Sequence, residues 1–443
     1  MRFYEDKNVT LPRMLECREQ RAKMQRELIA KYGKPVVSFT MNIAGPVKTN
    51  YLIETGFRIG MKRLRGSFYS QKIEVPFFTQ KYSVTGPEGY FVVDLDPLKL
   101  KEICVEIENQ DELGRLFDID VIAPNGCKLE RKEERHCLIC DKPAKECSSR
   151  RLHSVDELWE KTNSILYNIA LPYDSEYIAS LAVKALLYEV LTTPKPGLVD
   201  RNNNGAHKDM DLFTFSASAS TLFPYFQKAY TLGFNSMDPK ACFAQLRQLG
   251  KEAERIMFCE TSGVNTHKGA IFTLGILCCA AGFTAVTETD IFQCCADMTA
   301  GITEELKDPS MPQTNGKELY SKYEIKGIRG ELEDGLPSVK NIGLPVLERY
   351  VYAGKSLENA GSRALIALIA EVEDTNLLAR GGALKVALAK SMAQDLVEWG
   401  AYRQANIEKL DKWFIENNLS PGGCADLLAA CYFIYFLKGR YSV

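Results

Sequence analysis

Residues 115–124 read RLFDIDVIAP, and this stretch predicts a β-strand. Apolar and acidic residues alternate from Leu116 to Ile122, and successive side chains of a strand point to opposite faces. One face is therefore apolar and can enter a core, whereas the other carries Asp118 and Asp120 about 7 Å apart. The stretch predicts a sheet with one buried face.

The two aspartates form a candidate site. Carboxylates this close repel each other unless a cation or a proton lies between them, and a divalent metal holding a polyphosphate would satisfy both. Arg115, just upstream, is placed to contact the same phosphate. The alternative is a solvated strand edge. A similar pair, Asp94 and Asp96, is better explained by Asp96 capping a helix that begins at Pro97.

Further elements are predicted on both sides of this strand. Within the first 155 residues, the strand-like segments are VVSFTMNI (36–43) and GYFVVDLD (89–96), and the helical ones are residues 11–31 and 98–110. From residue 156 onward, long amphipathic stretches follow one another with short Gly, Pro and Asn breaks. We therefore expect two domains, a mixed α/β domain over residues 1–155 and an all-α helical bundle over residues 156–443.

The composition narrows the class of protein. Hydrophobic residues make up 46% of the chain and charged residues 25%, as in ordinary globular proteins, and the net charge of -2 argues against a nucleic-acid binder. The first residues do not have the pattern of a secretory signal. The apolar stretches at 271–283 and 425–437 are too short for a membrane span and predict buried helices. We expect a cytoplasmic protein with reduced cysteines and no membrane partner.

A cysteine-rich segment, RHCLICDKPAKECSSRRLHS (135–154), ends the first predicted domain. Cys137, Cys140, Cys147 and His153 are ligand types of a tetrahedral zinc, and the first spacing is that of zinc sites. The later spacings are unusual, so reduced thiols near a surface loop are the alternative. A zinc ion bound here would be structural.

The loop KPGLVDRNNNGAHKDMD (195–211) supplies the first polar cluster of the second domain. Lys195, His207, Asp209 and Asp211 together are suited to a metal–triphosphate. Either aspartate would equally serve to cap the helix that follows.

A second cluster lies in GVNTHKGAIF (263–272), where His267 and Lys268 lead into an apolar helix. A helix start with adjacent His and Lys is suited to an anion, although simple capping is the commoner reason for such residues. Three more loops contribute Arg329, Glu331 and Glu333 (GIRGELEDG, 327–335), Asp374, Asn376 and Arg380 (EDTNLLARGG, 373–382), and Asp426 (PGGCADLLAA, 421–430).

Taken together, these loops predict a metal-dependent polyphosphate site. A charge run alone is usually a solvated face, but an acid in the first turn of an apolar helix, such as Asp426, is costly unless it is paired or meets the helix dipole. The sequence has no P-loop and no hydrolase elbow motif.

Over residues 10–155 the chain resembles the apo-citrate lyase phosphoribosyl-dephospho-CoA transferases. The resemblance rests on CREQRAKMQRELIAKYGKPVVSFTMNIAGPVK (17–48), GRLFDIDVIAPNG (114–126) and RHCLICDKPAKEC (135–147). It implies transfer of a phosphoribosyl-dephospho-CoA unit to a serine of the acyl carrier (gamma) subunit of citrate lyase, with loss of pyrophosphate.

The same resemblance implies a nucleotidyltransferase-like domain with Mg²⁺ on Asp118 and Asp120. The pattern departs from that fold in one respect, because the Gly66-Ser67 pair lies far upstream of the aspartates. The residues that the resemblance suggests for contacts with the substrate are Arg18, Asn42 and Arg115. Basic residues expected to meet an acidic carrier are Lys62, Arg63 and Arg65.

Over about residues 175–440 the chain resembles the triphosphoribosyl-dephospho-CoA synthases, through the loops quoted above in the same order. This implies that ATP and 3'-dephospho-CoA form 2'-(5''-triphosphoribosyl)-3'-dephospho-CoA and adenine. Asp209 and Asp211 would bind Mg²⁺ or act as base. Phosphate contacts would come from Lys195, His207 and Lys268, and metal or ribose contacts from Glu331, Glu333, Asp374 and Asp426. Further substrate contacts would come from His267, Arg329, Asn376 and Arg380.

Three alternatives stay open at this point. In the first, the N-terminal half is a non-catalytic module that docks the carrier, although the intact Asp118 and Asp120 argue against this. In the second, the prosthetic group goes to malonate decarboxylase, although the motifs of the N-terminal half favour citrate lyase. In the third, the chain is a sensor of CoA or nucleotides, although a module for polyanions would depend on basic residues more than on acids.

Overall fold

The computed structural model describes residues 8–140, 142–310, 315–398 and 403–439. The chain divides into two compact units, the first ending at Asp174 and the second beginning at Ser175. The described residues are mostly helical, with one small four-stranded sheet. The predicted boundary between residues 155 and 156 lies inside the first unit.

The elements of the first unit are, in chain order, α1 (Leu11–Tyr32), β1 (Val36–Met41), α2 (Tyr51–Ser70), β2 (Phe77–Lys81), β3 (Glu88–Val92), α3 (Pro97–Asn109), β4 (Phe117–Ile122), α4 (Ala144–Arg150) and α5 (Val155–Ile165). The predicted helices α1 and α3 and strands β1, β3 and β4 are confirmed, whereas the sequence analysis missed α2 and β2. Asp96 caps α3 as predicted, since its carboxylate accepts hydrogen bonds from the N–H groups of Leu98 and Lys99.

The sheet has the strand order β2-β3-β1-β4, and its described pairs are antiparallel. Its apolar face packs on α2, where Phe39 of β1 stacks on Phe57 with ring centroids 4.8 Å apart. On the other face, Thr40 lies opposite Asp118 and Ser38 opposite Asp120. The alternation in β4 therefore places both aspartates on the polar face, as predicted.

The described regular elements after the first unit are helical. They are α6 (Leu171–Leu191, which begins in the first unit), α7 (Leu212–Thr221), α8 (Phe223–Phe234), α9 (Pro239–Glu260), α10 (Lys268–Phe283), α11 (Ile291–Thr299), α12 (Asn315–Tyr323), α13 (Gly327–Glu333), α14 (Leu344–Tyr352), α15 (Leu357–Glu371), α16 (Thr375–Glu398), α17 (Gln404–Glu416) and α18 (Gly422–Gly439).

Helix α10 lies at the centre of the second unit, where it packs against α8, α9, α11 and α18. The two apolar stretches at 271–283 and 425–437 lie within α10 and α18 and are largely buried, as predicted. Among the described helices, none combines the length and the apolar character needed to cross a membrane.

Candidate functional site

The second unit contains a cavity of about 1320 Å³. Pockets for one small ligand are typically about 300–1,000 Å³, so this cavity has room for two substrates. It brings together residues from loops that are far apart in the sequence. The predicted residues that line it are Lys195, His207, Asp209, His267, Lys268, Arg329, Glu331, Asp374, Asn376, Arg380 and Asp426.

A buried ion pair lies in the wall of this cavity. The Nζ atom of Lys195 lies 2.5 Å from Oε1 of Glu189, and the two residues are 1% and 5% exposed. Burial raises the pKa of Glu189, and the charge of Lys195 opposes the rise. Because removal of one partner would leave an unpaired buried charge, the pair holds Lys195 in a fixed position.

His267 is held by a chain of hydroxyl groups. Thr266 donates its hydroxyl proton to Ser218 Oγ, which lies 2.8 Å from Nδ1 of His267. The hydroxyl of Ser218 holds the ring at Nδ1, and it can either donate to that atom or accept from it, depending on the tautomer. Burial, followed by the charge of Lys195, lowers the pKa of His267 to about 3. The imidazole is therefore neutral, and its Nε2 has no hydrogen-bond partner among the described residues.

Asp426 lies against the first turn of α10. Its carboxylate accepts a hydrogen bond from the N–H of Ala270, and a Cβ atom on residue 269 would stand 1.9 Å from Oδ2. Gly269 is thus required for this approach. Loss of hydration, followed by the negative charges of Glu189 and Asp374, raises the pKa of Asp426 well above its usual value.

The loop 195–211 carries His207 and Asp209 to the cavity. Gly197 has a φ of 70° and lies so close to Leu419 that a Cβ would stand 2.2 Å from the carbonyl oxygen of that residue. Beside it, His207 Nε2 lies 2.8 Å from Ser420 Oγ. The backbone fit therefore fixes the position of the His207 ring.

The ring of His207 lies between a cation and an acid. Its Nδ1 lies 3.4 Å from Nη2 of Arg380 and 3.9 Å from Oδ1 of Asp209. Burial and then Arg380 lower the pKa of His207, whereas Asp209 opposes the shift. The side chain of Asp209 is 62% exposed, so its carboxylate is open to a ligand.

Two other cavity carboxylates are already engaged. Asp374 accepts hydrogen bonds from the N–H groups of Asn376 and Cys424, at 2.7 and 2.8 Å, and burial raises its pKa despite them. Glu331 accepts from the hydroxyl and the N–H of Ser338, at 2.6 and 3.2 Å. These contacts orient the two carboxylates and reduce their freedom to move toward a ligand.

Most of the described cavity cations have acidic neighbours. Lys268 pairs with Glu254 at 3.1 Å, and Glu305 accepts from Arg247 and lies 4.0 Å from Arg329. The cavity therefore carries basic and acidic groups side by side, which attract one another.

Two predicted residues lie outside the cavity lining. Asp211 caps α7, where its Oδ1 accepts from the N–H and the hydroxyl of Thr214 at 2.8 and 2.7 Å. Glu333 accepts from the N–H of Gly301 and the hydroxyl of Thr303. The geometry favours the capping alternative for Asp211 and a structural role for Glu333.

In the first unit, Asp118 and Asp120 share the polar face of β4. Asp120 Oδ1 lies 2.7 Å from Nζ of Lys128, and this contact raises the pKa of Lys128 against the opposing effect of burial. No hydrogen bond or ion pair is described for Asp118 among residues 8–140 and 142–174. Asp118 is therefore the more available of the two carboxylates.

The three residues suggested for substrate contacts in this unit have different surroundings. Arg18 is exposed and close enough to Lys48 to contribute, after burial, to lowering the pKa of that lysine. Asn42 is exposed. Arg115 donates from Nη2 to the carbonyl oxygens of His136 and Cys137, both at 2.8 Å. The guanidinium of Arg115 is thus engaged in holding the cysteine-rich loop.

That loop forms what we call the cysteine–histidine cluster, consisting of Cys137, Cys140, Cys147 and His153. One ligand atom from each residue lies within 4.8 Å of the others. The sequence prediction that these four residues belong together is therefore confirmed in space, although no metal identity follows from it.

Several residues that line the cavity or support its lining were not predicted from the sequence. Glu189 was detectable as a single acid in the apolar stretch LLYEVL (186–191), by the argument used for Asp426. Ser218 and Ser420 gave no signal, because small hydroxyl residues in helices and loops are common. Their roles follow only from contacts with the histidines.

Comparison with known families divides the chain near the boundary between the two compact units, at residues 174 and 175. Residues 175–442 match the family model described as ATP:dephospho-CoA triphosphoribosyl transferase. Residues 9–169 match the model described as apo-citrate lyase phosphoribosyl-dephospho-CoA transferase.

Individual relatives cover one or both parts. The protein named CitXG of Haemophilus influenzae is 35% identical over 98% of both chains, and that of Leuconostoc mesenteroides subsp. cremoris is 35% identical over 99% of both. A probable 2-(5''-triphosphoribosyl)-3'-dephosphocoenzyme-A synthase of Vibrio cholerae is 39% identical over 60% of this chain and 90% of its own length. Both resemblances expected from the sequence are thus confirmed.

Proposed function

The chain belongs to the family of the CitXG proteins, and from this premise we propose how its residues divide two transferase reactions. It is a bifunctional transferase. One part makes 2'-(5''-triphosphoribosyl)-3'-dephospho-CoA from ATP and 3'-dephospho-CoA, and the other transfers the phosphoribosyl-dephospho-CoA unit to apo-citrate lyase.

The synthase reaction is assigned to the cavity of the second unit. In it, the 2'-oxygen of dephospho-CoA bonds to the anomeric carbon of ATP, the bond to adenine breaks, and the hydroxyl proton must be removed. Asp209 is our candidate base or Mg²⁺ ligand, since it lines the cavity and its side chain is 62% exposed. The convergence of acids and cations in one large cavity is the observation that carries this assignment.

Other cavity residues are proposed to bind and orient the substrates. Lys268, Arg329 and Arg380 would hold the triphosphate, with Lys195 contributing a fixed charge from the wall. We assign the ring hydrogen of the neutral His267 to its unpartnered Nε2, which would then donate to an uncharged nitrogen or a phosphate oxygen. Asp374, Asn376, Glu331 and Asp426 would contact ribose or a metal. The carboxyl of Asp426 with its raised pKa is suited to holding a proton near the departing adenine.

The transfer to the carrier is assigned to the polar face of β4. A carrier serine oxygen would bond to the phosphorus next to the ribose and lose its proton, while the phosphoanhydride breaks and pyrophosphate leaves. Asp118 and Asp120 would hold Mg²⁺, which supplies charge stabilisation for the leaving pyrophosphate. Their shared face and the available Asp118 fit such an ion, and Lys128 beside Asp120 adds a further positive charge.

The partner is proposed to be the acyl carrier (gamma) subunit of citrate lyase, approached along α2. Lys62 and Arg65 are exposed there, whereas Arg63 is held by both oxygens of Asp111. We propose a nucleotidyltransferase-like fold for the first unit, supported by the aspartates on a strand of a small sheet. For the second unit we propose a helical bundle. A cytoplasmic location would suit the free thiols of all fourteen cysteines.

The division of labour is tested by separating the two reactions in variants of the full chain. Asp118→Asn should abolish carrier modification while adenine release from ATP and dephospho-CoA stays normal. Asp94→Asn is the matched control, because Asp94 belongs to the similar-looking pair and only contacts Lys34 at the surface. Normal carrier modification by Asp118→Asn would overturn the assignment of the first unit.

A further inference from the structure

The four ligand atoms of the cysteine–histidine cluster have the spacing of a metal site. Cys140 Sγ lies 3.5 Å from Cys147 Sγ and 3.3 Å from Nε2 of His153. Tetrahedral zinc with bonds of about 2.3 Å to sulfur and 2.0 Å to nitrogen would set these separations at about 3.8 and 3.5 Å. These two separations need to change by only a few tenths of an ångström to accept the ion, and the remaining ligand atoms lie within 4.8 Å of one another.

The backbone around the cluster is built to present these atoms. The N–H of Cys137 donates to the carbonyl oxygen of Lys142 at 2.7 Å, which closes a tight loop between the first two cysteines and α4. Within that loop the N–H of Ile139 donates to Cys137 Sγ at 3.5 Å. Arg151 ends α4 with a φ of 49°, so the chain turns and brings His153 back toward Cys147.

The composition of the cluster separates a structural site from a catalytic one. Three sulfurs and one imidazole fill all four tetrahedral positions, which leaves none for water or substrate. Cys137 and Cys147 are each 6% exposed, and the cysteines carry no disulfide. Such a site contributes to folding and position and not to the chemical step.

The cluster is tied to the strand of the aspartate pair by two arginines. Arg115 lies two residues before β4 and donates to the carbonyl oxygens of His136 and Cys137. Arg135, two residues before Cys137, donates to the carbonyl oxygen of Phe117 at 2.6 Å. The residues that lead into β4 are thus bonded at two points, Arg115 and Phe117, to the loop that carries Cys137.

We infer that the cysteine–histidine cluster binds one structural zinc ion, and that this ion positions, through Arg115 and Arg135, the strand that carries Asp118 and Asp120. The zinc site stands on its own geometry. Its effect on the reaction rests on the proposed transferase function of the first unit. Zinc is therefore required for transfer to the carrier and is dispensable for synthesis of the prosthetic-group precursor.

The test uses the full chain produced with zinc in the growth medium. Zinc per chain, carrier modification and adenine release are measured for the wild type, Cys140→Ser and the control Cys127→Ser, which replaces an exposed free thiol of the same unit. We expect one zinc in the wild type and in the control. Cys140→Ser should lose the zinc. Its rate of carrier modification should fall by at least about tenfold, whereas its adenine release should be unchanged.

A second measurement does not depend on the folding of Cys140→Ser. Wild-type protein is treated with a chelator and then given zinc again, and carrier modification should fall and return while adenine release is constant. Zinc in the wild type no higher than in Cys140→Ser would overturn the site. Full carrier modification by the chelated, zinc-free protein would overturn the coupling. A wild type with one zinc that never modifies the carrier would uphold the site but reject both the coupling and the proposed transferase function.

Discussion

The carboxylate of Asp426 occupies the space that a side chain on residue 269 would need. A Cβ on Gly269 would lie 1.9 Å from Oδ2 of Asp426 and 2.8 Å from its Cγ. The absent side chain allows the acid on α18 to reach the N–H of Ala270 at the start of α10. This contact joins two loops whose sequences, GVNTHKGAIF and PGGCADLLAA, are separated by about 150 residues.

The first prediction concerns this contact. Gly269→Ala should displace the Asp426 carboxylate and lower the rate of adenine release by at least about tenfold, equivalent to ~1.4 kcal/mol in the barrier. Gly439→Ala is the control, because residue 439 lies at the end of the same α18 and a Cβ there meets nothing within 4 Å. Adenine release is followed by chromatography. An unaffected rate in Gly269→Ala would show that the position of Asp426 does not matter to the reaction.

The second prediction separates two neighbouring aspartates. Asp209→Ala should abolish adenine release, since its exposed carboxylate lies at the cavity. Asp211→Ala should retain adenine release but unfold at a lower denaturant concentration, because its carboxylate caps α7. Steady-state kinetics and denaturant unfolding measure the two effects. If Asp211→Ala were the inactive variant and Asp209→Ala the active one, the assignment would be reversed.

The third prediction concerns the buried pair of Lys195 and Glu189. Lys195→Met should cost about 3–5 kcal/mol of stability, because it leaves the Glu189 carboxylate buried without its partner. Adding Glu189→Gln should recover much of that stability. Adenine release should stay low in the double variant, since the fixed charge at the cavity is still missing. Recovery of activity together with stability would mean that the pair serves the fold alone.

The fourth prediction is a pH dependence of stability. The folded protein holds His267 neutral, with a pKa of about 3, whereas an unfolded chain protonates its histidines below about pH 6.5. The unfolded state therefore binds one more proton between these values, and stability falls as the pH is lowered through that window. Relative to His267→Gln, the wild type should lose up to about 1.4 kcal/mol more per pH unit.

Denaturant unfolding at several pH values between 6.5 and 4 measures this difference. Because the two proteins differ only at residue 267, the contributions of the remaining titrating groups largely cancel. Parallel curves for the two proteins would mean that the imidazole is protonated in the fold, which would remove the argument for a neutral donor.

The sequence alone was sufficient where one local pattern determines the structure. Alternation placed Asp118 and Asp120 on one face of β4, and the Asp96–Pro97 pair marked the start of α3. It missed α2, whose burial on the sheet depends on contacts with Phe39, and β2, whose side chains are only partly buried. Such elements are defined by what they pack against, which one sequence does not state.

For the site, the polar loops indicated most of the residues that line the cavity. The sequence did not distinguish residues that face a ligand from residues that only hold the structure around them. Asp209 and Asp211 are two residues apart and look alike in sequence, yet one lines the cavity and the other caps a helix. Arg115 looked like a phosphate ligand, and nothing in the sequence indicated that its Nη2 also bonds the cysteine-rich loop. Glu189 became visible as the partner of Lys195 only when its surroundings were known.

The proposed function requires that one chain both makes the prosthetic-group precursor and attaches it. The direct measurement is mass spectrometry of the purified chain with ATP, Mg²⁺ and dephospho-CoA, first without and then with the apo acyl carrier subunit of citrate lyase. We expect free adenine and a triphosphoribosyl adduct of dephospho-CoA, followed by a mass gain on one carrier serine with release of pyrophosphate. An adduct that never reaches the carrier, or no adenine at all, would contradict it.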